Sequence, residues 1–270
     1  MVNDPGTASL VFAAGRGSRM KGFDGNKTLL PLVPARSSFE GSRPILLHIL
    51  VSLPPGPKAL VIHHRKEEVM ECTRDLGLTY CLQPALNGTG GALLSAGEFI
   101  QNGVHDRLII TMGDVPFVRK DTYLGLVRAL RAYHLVVLGF VPQDRRQYGV
   151  LEVDGDRVRR ITEWKYWSTY PEARQKSLRI CNSGIYATRT RSLLPYLQVL
   201  RNNPHRVLKE REGRMTEIEE FFITDLMEWM DRDGLRVGYA LAGDEVEVMG
   251  IDDLASLQRA QEYFKTLCPS

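Results

Sequence analysis

Short apolar runs recur through the first two-thirds of the chain, and they predict the strands of a buried sheet. Each run is rich in valine, isoleucine and leucine and shows little polar alternation, which is typical of parallel strands that are covered on both faces. The predicted strands are residues 10–14, 59–63, 78–82, 107–112 and 135–141.

Helical patterns fill the intervals between these runs. They predict helices at residues 44–52, 66–76, 90–102 and 120–132. Strands that alternate with helices predict an α/β fold with a doubly wound, mixed but mostly parallel sheet. In such a sheet, ligands bind at the carboxyl ends of the strands.

The pattern changes after Tyr148. Two runs, residues 149–153 and 157–162, flank Asp154-Gly155, a dipeptide that favours a tight hairpin, so an antiparallel insertion is predicted here. The remaining predictions are a charged loop or short helix at 168–177, strands at 178–188 and 235–241, and helices at 191–200, 217–231 and 252–267. The polar stretch 202–214 is predicted to be a mobile loop.

Composition sets the class of protein. The 270 residues are 43% hydrophobic and 25% charged, which is typical of a globular protein and favours one large α/β domain over residues 1–270. The net charge of +3 is too small to indicate nucleic-acid binding.

The cysteines and the amino-terminal residues indicate the cellular compartment of the protein. The four cysteines form no C-x-x-C pair and suggest neither a zinc site nor a disulfide framework. The first residues carry no basic start, and the first apolar run is too short for a signal core or a membrane span. We therefore expect a cytoplasmic protein that is not bound to a membrane.

The loop after the first predicted strand is the first candidate site. Small residues at 13–17 leave the backbone open to a ligand, and glycine allows the positive φ angles that aim successive amides at one point. Arg16, Arg19 and Lys21 add positive charge. The loop can cradle a polyphosphate; an ordinary strand-to-loop turn with solvated charges is the alternative.

Two acidic positions are candidate metal ligands. Asp114 follows the predicted strand 107–112, at the place where Mg²⁺ and phosphates meet in this architecture. Asp252 or Asp253 could supply a second carboxylate. Each of the three could instead form a turn or cap a helix.

A third candidate is the glycine-rich stretch 83–92, which also stands between a strand and a helix. Its glycines could let a flat base lie against the backbone, while the Gln83 amide can donate and accept at a base edge. A loop that simply ends in a helix start is the alternative.

Taken together, these stretches resemble the nucleotidyltransferases that make nucleoside-diphosphate sugars. The similarity is strongest to the uridylyltransferase domain of the bacterial enzymes that act on N-acetylglucosamine 1-phosphate. The matching motifs are A-A-G-x-G-[ST]-R-M at 13–20, the lysine before leucine and proline at 27–31, Q-x-x-x-x-G-T-G at 83–90, G-D-x-P at 113–116, Y-G at 148–149, E-x-K at 163–165, N-[ST]-G-I-Y at 182–186, aromatic-aromatic-x-T-D at 221–225 and E-V-x-G-[VI] at 247–251.

The resemblance implies a role for each matching position. Arg19 and Lys27 are implied to be catalytic, facing the nucleotide phosphates, and Asp114 and Asp252 are implied to bind Mg²⁺. The implied nucleotide-binding residues are Ala13, Ala14, Gly15, Arg16, Gly17, Ser18, Gln83, Gly88 and Thr89. The implied sugar-binding residues are Gly149, Glu163, Lys165 and Asn182.

The resemblance also implies a reaction and a layout. We expect a transfer of UMP from UTP to a sugar 1-phosphate, foremost N-acetylglucosamine 1-phosphate, with Mg²⁺-dependent release of pyrophosphate. The expected fold is Rossmann-like, of the GT-A-like nucleotidyltransferase type. Residues 1–142 would bind the nucleotide, 143–251 would bind the sugar in the half that carries the antiparallel insertion, and 252–270 would form a terminal helix. A monomer or small homo-oligomer is expected.

Two departures from the family pattern keep other functions open. Asp252 stands where these enzymes usually have asparagine. We also expect no β-helical acetyltransferase domain, and hence no acetyltransferase activity. Alternative substrates are glucose 1-phosphate with dTTP or UTP, or a small alcohol phosphate with CTP. A metal-dependent glycosyltransferase and a non-catalytic regulatory module are the alternatives from other classes.

Overall fold

The computed structural model describes residues 6–17, 19–211 and 214–267. The strands are β1 (Thr7–Phe12), β2 (Pro31–Ser37), β3 (Glu40–Pro44), β4 (Lys58–Ile62), β5 (Thr79–Leu82), β6 (Arg107–Met112), β7 (Leu135–Phe140), β8 (Val150–Asp154), β9 (Arg157–Thr162), β10 (Cys181–Arg189), β11 (His205–Arg211), β12 (Arg214–Glu220) and β13 (Val237–Leu241). The helices are α1 (Ile45–Ser52), α2 (Lys66–Thr73), α3 (Gly88–Ser95), α4 (Gly97–Asn102), α5 (Lys120–Ala129), α6 (Trp164–Trp167), α7 (Glu172–Ser177), α8 (Thr190–Asn202), α9 (Asp225–Arg232) and α10 (Leu254–Leu267).

Nine of the described strands form one sheet, in the order β5-β4-β1-β6-β10-β7-β13-β9-β8. Strand β1 lies between β4 and β6 and runs parallel to both, and β5 extends this parallel group. Strand β10 runs antiparallel between β6 and β7, while β13 pairs in parallel with β7. Four pairings between the described strands of this sheet are parallel and five are antiparallel, because β9 also pairs in the antiparallel sense with β13 and β8, and β8 with β10. The predicted mixed sheet is therefore confirmed, but its predicted mostly parallel character is not.

The apolar strands bury residues on both faces of this sheet. Val11 and Ile109 belong to one hydrophobic cluster, whereas their chain neighbours Leu10 and Ile110 belong to another. Residues of α1, α5 and α10 complete the first cluster, and residues of α3, α8 and α9 complete the second. Successive strand residues point to opposite faces, so continuous apolar runs are what a sheet between two helical layers requires.

The predicted hairpin after Tyr148 is antiparallel, with Asp154 opposite Arg157 and Gly155 at a φ of 60° in the turn. It does not form a separate layer. Strand β9 pairs with β13 and β8 with β10, so the hairpin extends the edge of the main sheet.

Strands β11 and β12 correct two predictions. They form a two-stranded antiparallel ribbon where a mobile loop at 202–214 and the start of a helix at 217 were predicted, and helix α9 begins only at Asp225. The acidic run lies in β12, where Glu219 pairs with Arg206 and Glu220 with His205 across the ribbon. Charges of opposite sign on neighbouring strands favour strand pairing. The acidic residues therefore lie in a strand and not in the predicted helix.

A second antiparallel pair, β2 with β3, has no counterpart among the predicted elements. It contains Pro31, Pro34 and Pro44, residues that remove backbone donors and obscure a strand pattern. The pair is a separate two-stranded sheet, so the missing donors do not interrupt the main ladder.

Helix α10, at the end of the described chain, is hydrogen-bonded to this pair. Gln261 is buried, and its amide donates to the carbonyls of Pro31 and Ser38, each at 2.8 Å. The helix has 14 residues. Neither it nor any other helix in the described ranges combines the length and apolar composition needed to cross a membrane.

Candidate active site

Two neighbouring strands bring the first two predicted motifs together. Strands β1 and β6 are parallel and in register, with Phe12 opposite Met112, so the loops that follow them start side by side. The Gly113 amide donates to the Phe12 carbonyl at 2.9 Å, and a Cβ at Gly113 would lie 2.7 Å from that oxygen. Glycine is therefore required before Asp114 for the two chains to approach.

Asn26 positions the lysine that follows it. Its side chain is fully buried and donates to the carbonyls of Ala13 and His64, at 3.3 and 2.8 Å. Its oxygen accepts from the amide and the hydroxyl of Thr28, so Asn26 caps the single helical turn Lys27–Leu29. The sequence analysis missed this residue, although an asparagine just before a short helical turn is a capping signal.

Lys27 lies at the centre of the site. Its Nζ is 2.5 Å from Oδ2 of Asp114 and 3.3 Å from Oδ1 of Asp252. Burial alone would lower the pKa of Lys27, but the two carboxylates outweigh that effect and raise the pKa. Lys27 is therefore a fixed positive charge at neutral pH.

Asp252, and not Asp253, reaches the site. The Ile251 amide donates to the Asp114 carbonyl at 2.9 Å, which holds the second acidic segment against the first. Asp253 instead accepts from the Ser256 amide at 2.8 Å and caps α10. Asp252 is left facing Lys27 and Arg19, whose Nη2 is 2.9 Å from Oδ1 of Asp252.

Glu247 supports this segment, and the sequence analysis gave it no role. It is buried and binds the Arg119 guanidinium at 2.7 Å, the Arg119 amide at 3.1 Å and the Gly243 amide at 3.0 Å. It also accepts from the Thr122 hydroxyl. Burial opposes these partners, yet together they lower the pKa of Glu247, so it is an anion that ties the start of α5 to the approach to Asp252.

The predicted phosphate loop leaves β1 with Ala13 and Ala14 buried and Gly15 and Arg16 exposed. A Cβ at Gly15 would meet nothing within 4 Å, so the loop is open on that side. Gly17 has a φ of 62°, and a Cβ there would lie 3.0 Å from Cβ of Lys27. Ser18 lies outside the described residues.

The side chain of Gln83 stabilises the loop that follows it. Gln83 is buried, and its amide nitrogen donates to Oδ1 of Asn87 at 3.0 Å and to the Gly88 carbonyl at 3.3 Å. Gly88 and the following turn pack on Phe221: a Cβ at Gly88 would lie 2.3 Å from the Phe221 carbonyl oxygen. The Thr89 hydroxyl accepts from the Ile223 amide at 3.2 Å. The glycine at 88 thus serves the approach of another chain segment.

The predicted sugar-binding residues form a second group. The Gly149 carbonyl accepts from the Asn182 amide at 2.8 Å, and a Cβ at Gly149 would lie 3.3 Å from Oε2 of Glu163. Burial raises the pKa of Glu163, against the opposing effects of Thr224 and Lys165. Lys165 is exposed, with Nζ 4.7 Å from the Tyr166 ring centroid and 5.9 Å from that of Phe222.

Strand β10 brings this group close to the first. The Asn182 side chain donates to the Tyr186 hydroxyl at 2.9 Å and accepts from the Gly184 amide at 3.1 Å. Gly184 has a φ of 79°, and a Cβ there would lie 3.2 Å from Cγ of Met112, just before Gly113 and Asp114. The structure therefore brings the two predicted halves of the site to adjacent strand ends.

The donor set at Lys27 fits Mg²⁺ that arrives with a phosphate-bearing ligand. Two carboxylates, those of Asp114 and Asp252, face one point, where they bind the Lys27 ammonium. Proteins commonly hold Mg²⁺ through one or two carboxylates, with water and substrate phosphates as the other ligands. Within the described ranges, no group of three or more His, Cys, Asp or Glu side chains is arranged to hold a metal by itself.

Comparison with known proteins identifies the family. The model of the MobA-like NTP transferase domain matches residues 9–212. The chain belongs to this family. The predicted nucleotidyltransferase is therefore confirmed at the level of the family. Arg19, Lys27 and Asp114 lie within the matched residues, and Asp252 lies beyond them.

Curated relatives and solved structures agree with this assignment. The NTP transferase chain is 31% identical to the bifunctional protein GlmU of Ruegeria pomeroyi over 96% of its length, and 32% identical to that of Sphingopyxis alaskensis over 98%. It spans about half the length of these relatives, 53% in each case. The chain's fold is shared with a putative glucose-1-phosphate thymidylyltransferase of Bacillus anthracis (TM-score 0.67, 20% identity, 95% and 94% of the two chains covered). It is also shared with the uridine diphosphate N-acetylglucosamine pyrophosphorylase of Trypanosoma brucei (TM-score 0.72, 12% identity, 96% and 65% covered).

Proposed function

We propose that this NTP transferase moves a uridylyl group from UTP to N-acetylglucosamine 1-phosphate and releases pyrophosphate. The observation that carries the proposal is the cluster in which Lys27 bridges Asp114 and Asp252 beside Arg19. The similarity to GlmU proteins and the substrate named for the trypanosomal structure support uridine and N-acetylglucosamine as the two halves of the product.

The reaction needs charge stabilisation more than acid–base chemistry. A phosphate oxygen of the sugar 1-phosphate attacks the α-phosphorus of UTP in line; the new P–O bond forms as the bond to the β-phosphate oxygen breaks, and that electron pair leaves with pyrophosphate. A phosphate monoester is already anionic at neutral pH, so no strong base is needed. What remains is to bring two polyanions together and to stabilise the leaving group.

The residues of the chain divide this work. Arg19 and the open amides of the loop at 13–17 would bind the β- and γ-phosphates, and Lys27 would lie against the α-phosphate. Asp114 and Asp252 would hold Mg²⁺, which, when bound with the nucleotide, offsets negative charge on the phosphates. Because Lys27 stands between those carboxylates, it would turn from them toward the α-phosphate as the nucleotide enters.

The other residues would recognise the base and the sugar. The loop at 83–90, supported by Gln83 and Thr89, would form the uracil pocket, with Gly88 offering its backbone. Gly149, Glu163 and Asn182 would contact sugar hydroxyls and the acetamido group, and Lys165 would approach the acceptor phosphate. A cytoplasmic location would give access to UTP and sugar phosphates.

A pyrophosphate-release assay tests the proposal. Purified protein with Mg²⁺ is offered UTP, dTTP or CTP, each with N-acetylglucosamine 1-phosphate, glucose 1-phosphate or a small alcohol phosphate. We expect turnover with UTP and N-acetylglucosamine 1-phosphate that EDTA abolishes. Faster turnover with another pair would replace the substrates, and no pyrophosphate from any pair would overturn the enzymatic proposal.

A further inference from the structure

A second concave site lies at the opposite end of the strands, where β6 begins. A cavity of about 990 Å³ opens beside the start of β6 and the end of β10, between the last turns of α5 and the first turn of α8. Strand β6 runs from Arg107 at this cavity to Met112 near Asp114. At about 3.3 Å per residue, its six residues separate the two sites by about 17–20 Å.

The lining of this cavity is strongly basic. Five arginines border it, with Asp106 as the single acidic residue of the lining: Arg107, Arg128, Arg131, Arg189 and Arg191. Arg189 is committed to the fold, because its guanidinium donates to the carbonyl oxygens of Leu130, Tyr133 and Arg131 at 2.6 to 3.2 Å.

Three of these arginines are available to a ligand. Arg128, Arg131 and Arg191 are exposed, and none forms an ion pair with a residue in the described ranges. Three like charges on one rim repel one another unless an anion binds between them. Free arginines gathered around a cavity are therefore typical of a site that binds phosphate or carboxylate groups.

Two buried polar side chains beside the cavity also lack partners among the described residues. His105 and Thr190 border it and are 4% and 6% exposed, yet neither ring nitrogen of His105 nor the Thr190 hydroxyl has a hydrogen-bond partner in the described chain. Buried polar groups are nearly always hydrogen-bonded, and leaving them unpaired costs free energy. The unpartnered atoms are themselves buried, so a ligand in the cavity reaches them only if the side chains rotate toward it.

Helix α8 adds a favourable field. It has 13 residues, begins at Thr190 beside the cavity, and has no side chain capping its first turn. The Thr190 amide donates to the Asp106 carbonyl at 2.8 Å, so the amides that follow it and the positive end of the helix dipole lie next to the three arginines.

We propose that this cavity is a second binding site, for a small phosphorylated anion, separate from the nucleotidyl-transfer site. Three free arginines and the start of α8 form its binding surface, and the unpartnered side chains of Thr190 and His105 lie next to it. A volume of about 990 Å³ is enough for a phosphorylated metabolite, since ligand pockets commonly measure about 300–1,000 Å³. The proposal does not depend on which nucleotide or sugar the transferase uses.

Calorimetric titration with inorganic tripolyphosphate tests the site. The wild-type protein is first saturated with Mg²⁺ and UTP, so that the transfer site is filled before the probe is added. We expect one further binding event, which the triple variant R128Q/R131Q/R191Q weakens at least about tenfold, since each charge-assisted hydrogen bond contributes strongly. Equal affinity in the wild type and the triple variant would overturn the proposal.

Two controls separate this site from general electrostatic attraction. The variant R36Q/R201Q/R259Q removes the same charge from exposed arginines elsewhere; we expect it to bind the probe as the wild type does, and an equal loss would show non-specific attraction. Leu194→Trp fills the cavity without changing its charge. We expect this variant to lose the probe while it keeps its pyrophosphate-release rate, and unchanged binding would place the ligand elsewhere.

Discussion

At the scale of residues, the main feature of the site is Lys27, which lies between two carboxylates. Lys27 is nearly buried, and its charge is stabilised by Asp114 and Asp252. These ion pairs hold the three groups together before substrates bind, and in the proposed reaction Lys27 turns from the carboxylates toward the α-phosphate. Preorganised charge of this kind accounts for a large share of catalysis in many enzymes.

Replacing members of this cluster should remove activity and leave the fold intact. We expect Lys27→Ala and Asp114→Ala each to lower the rate of pyrophosphate release by about 10²–10³, as is common when one preorganised electrostatic contributor is lost. The measurement is kcat with saturating UTP and sugar phosphate, beside a thermal unfolding curve. Glu71→Gln, which breaks an exposed ion pair with Arg74, serves as the control and should keep the full rate. Near-normal turnover in Lys27→Ala would rule out the proposed site.

Asn26 should act through Lys27 as a positioning residue. Asn26→Ala leaves the carbonyls of Ala13 and His64 without their donor, and we expect a loss of about 1–3 kcal/mol in the free energy of unfolding for such buried groups. We also expect kcat to fall much more than KM changes, because the lysine loses its fixed place. Denaturant unfolding and steady-state kinetics measure the two effects.

The matched control removes an asparagine that holds only an exposed helix end. Asn203 donates to the Val199 carbonyl at 2.8 Å at the end of α8. Asn203→Ala should therefore change stability little and kinetics not at all. A purely structural role for Asn26 would appear as lost stability with an unchanged kcat.

Asp252 and Asp253 show how much of the site can be predicted from the sequence. The sequence analysis proposed either as the second carboxylate and carried Asp252 forward from the family motif. The choice depends on the bond from the Ile251 amide to the Asp114 carbonyl and on the cap formed with Ser256. The first contact joins segments far apart in the chain, so no local pattern could reveal it, whereas the Asp253 cap is a local signal, three residues before Ser256.

At the scale of elements, the loop at 83–90 and the start of α9 depend on each other. The Gly90 amide donates to the Phe221 carbonyl, and the Phe221 amide donates to the Asn87 carbonyl, both at 2.8 Å. The two motifs that the sequence analysis treated separately are thus one structural unit. The predicted base-reading loop takes its shape from the segment that follows β12.

A pair of glycine variants tests this dependence. Gly88 and Gly155 both have a positive φ, but a Cβ at Gly88 would lie 2.3 Å from the Phe221 carbonyl oxygen, whereas a Cβ at Gly155 would meet nothing within 4 Å. Both alanine variants should lose about 1–2 kcal/mol from the backbone conformation alone. We expect Gly88→Ala to lose clearly more stability and also to raise the KM for UTP. Equal effects of the two substitutions would contradict the packing described.

The ribbon β11–β12 shows why part of the secondary-structure prediction was wrong. Residues 202–220 are polar on most positions and have few large apolar side chains, so they matched a loop and then an acidic helix start. Period-two alternation is nevertheless present, with Val207 opposite Ile218 on one face. The buried strands of the main sheet were recognised because their apolar runs are long and continuous, and that signal is absent in an exposed ribbon.

At the scale of the whole molecule, a half-buried glutamate links the edge hairpin to the segment that follows it. Glu152 on β8 accepts from Arg160 at 3.0 Å, the Thr162 hydroxyl at 2.6 Å and Arg174 of α7 at 2.8 Å. Burial opposes ionisation, but these partners outweigh it and lower the pKa of Glu152 from 4.5 to about 2.

The lowered pKa predicts how stability depends on pH. The stabilisation from ionised Glu152 should be complete above about pH 4.5 and lost as the pH falls toward 2. We expect Glu152→Gln to unfold at lower denaturant concentration than the wild type at pH 7, with the difference shrinking below pH 4.5. Glu172→Gln, which removes an exposed partner of Lys176, should show little difference at any pH. A difference between Glu152→Gln and wild type that stays constant down to pH 2.5 would contradict this assignment.

The order of the strands has a consequence for how the protein is made. Lys27 and Asp114 come from the first half of the chain, but Asp252 follows β13, and α10 closes against β2 through Gln261. A ribosome therefore releases the parallel group β1, β4, β5 and β6 well before the last carboxylate emerges. Until then Lys27 has only one of its two counter-ions, so the nascent chain can fold its sheet without yet having a working site.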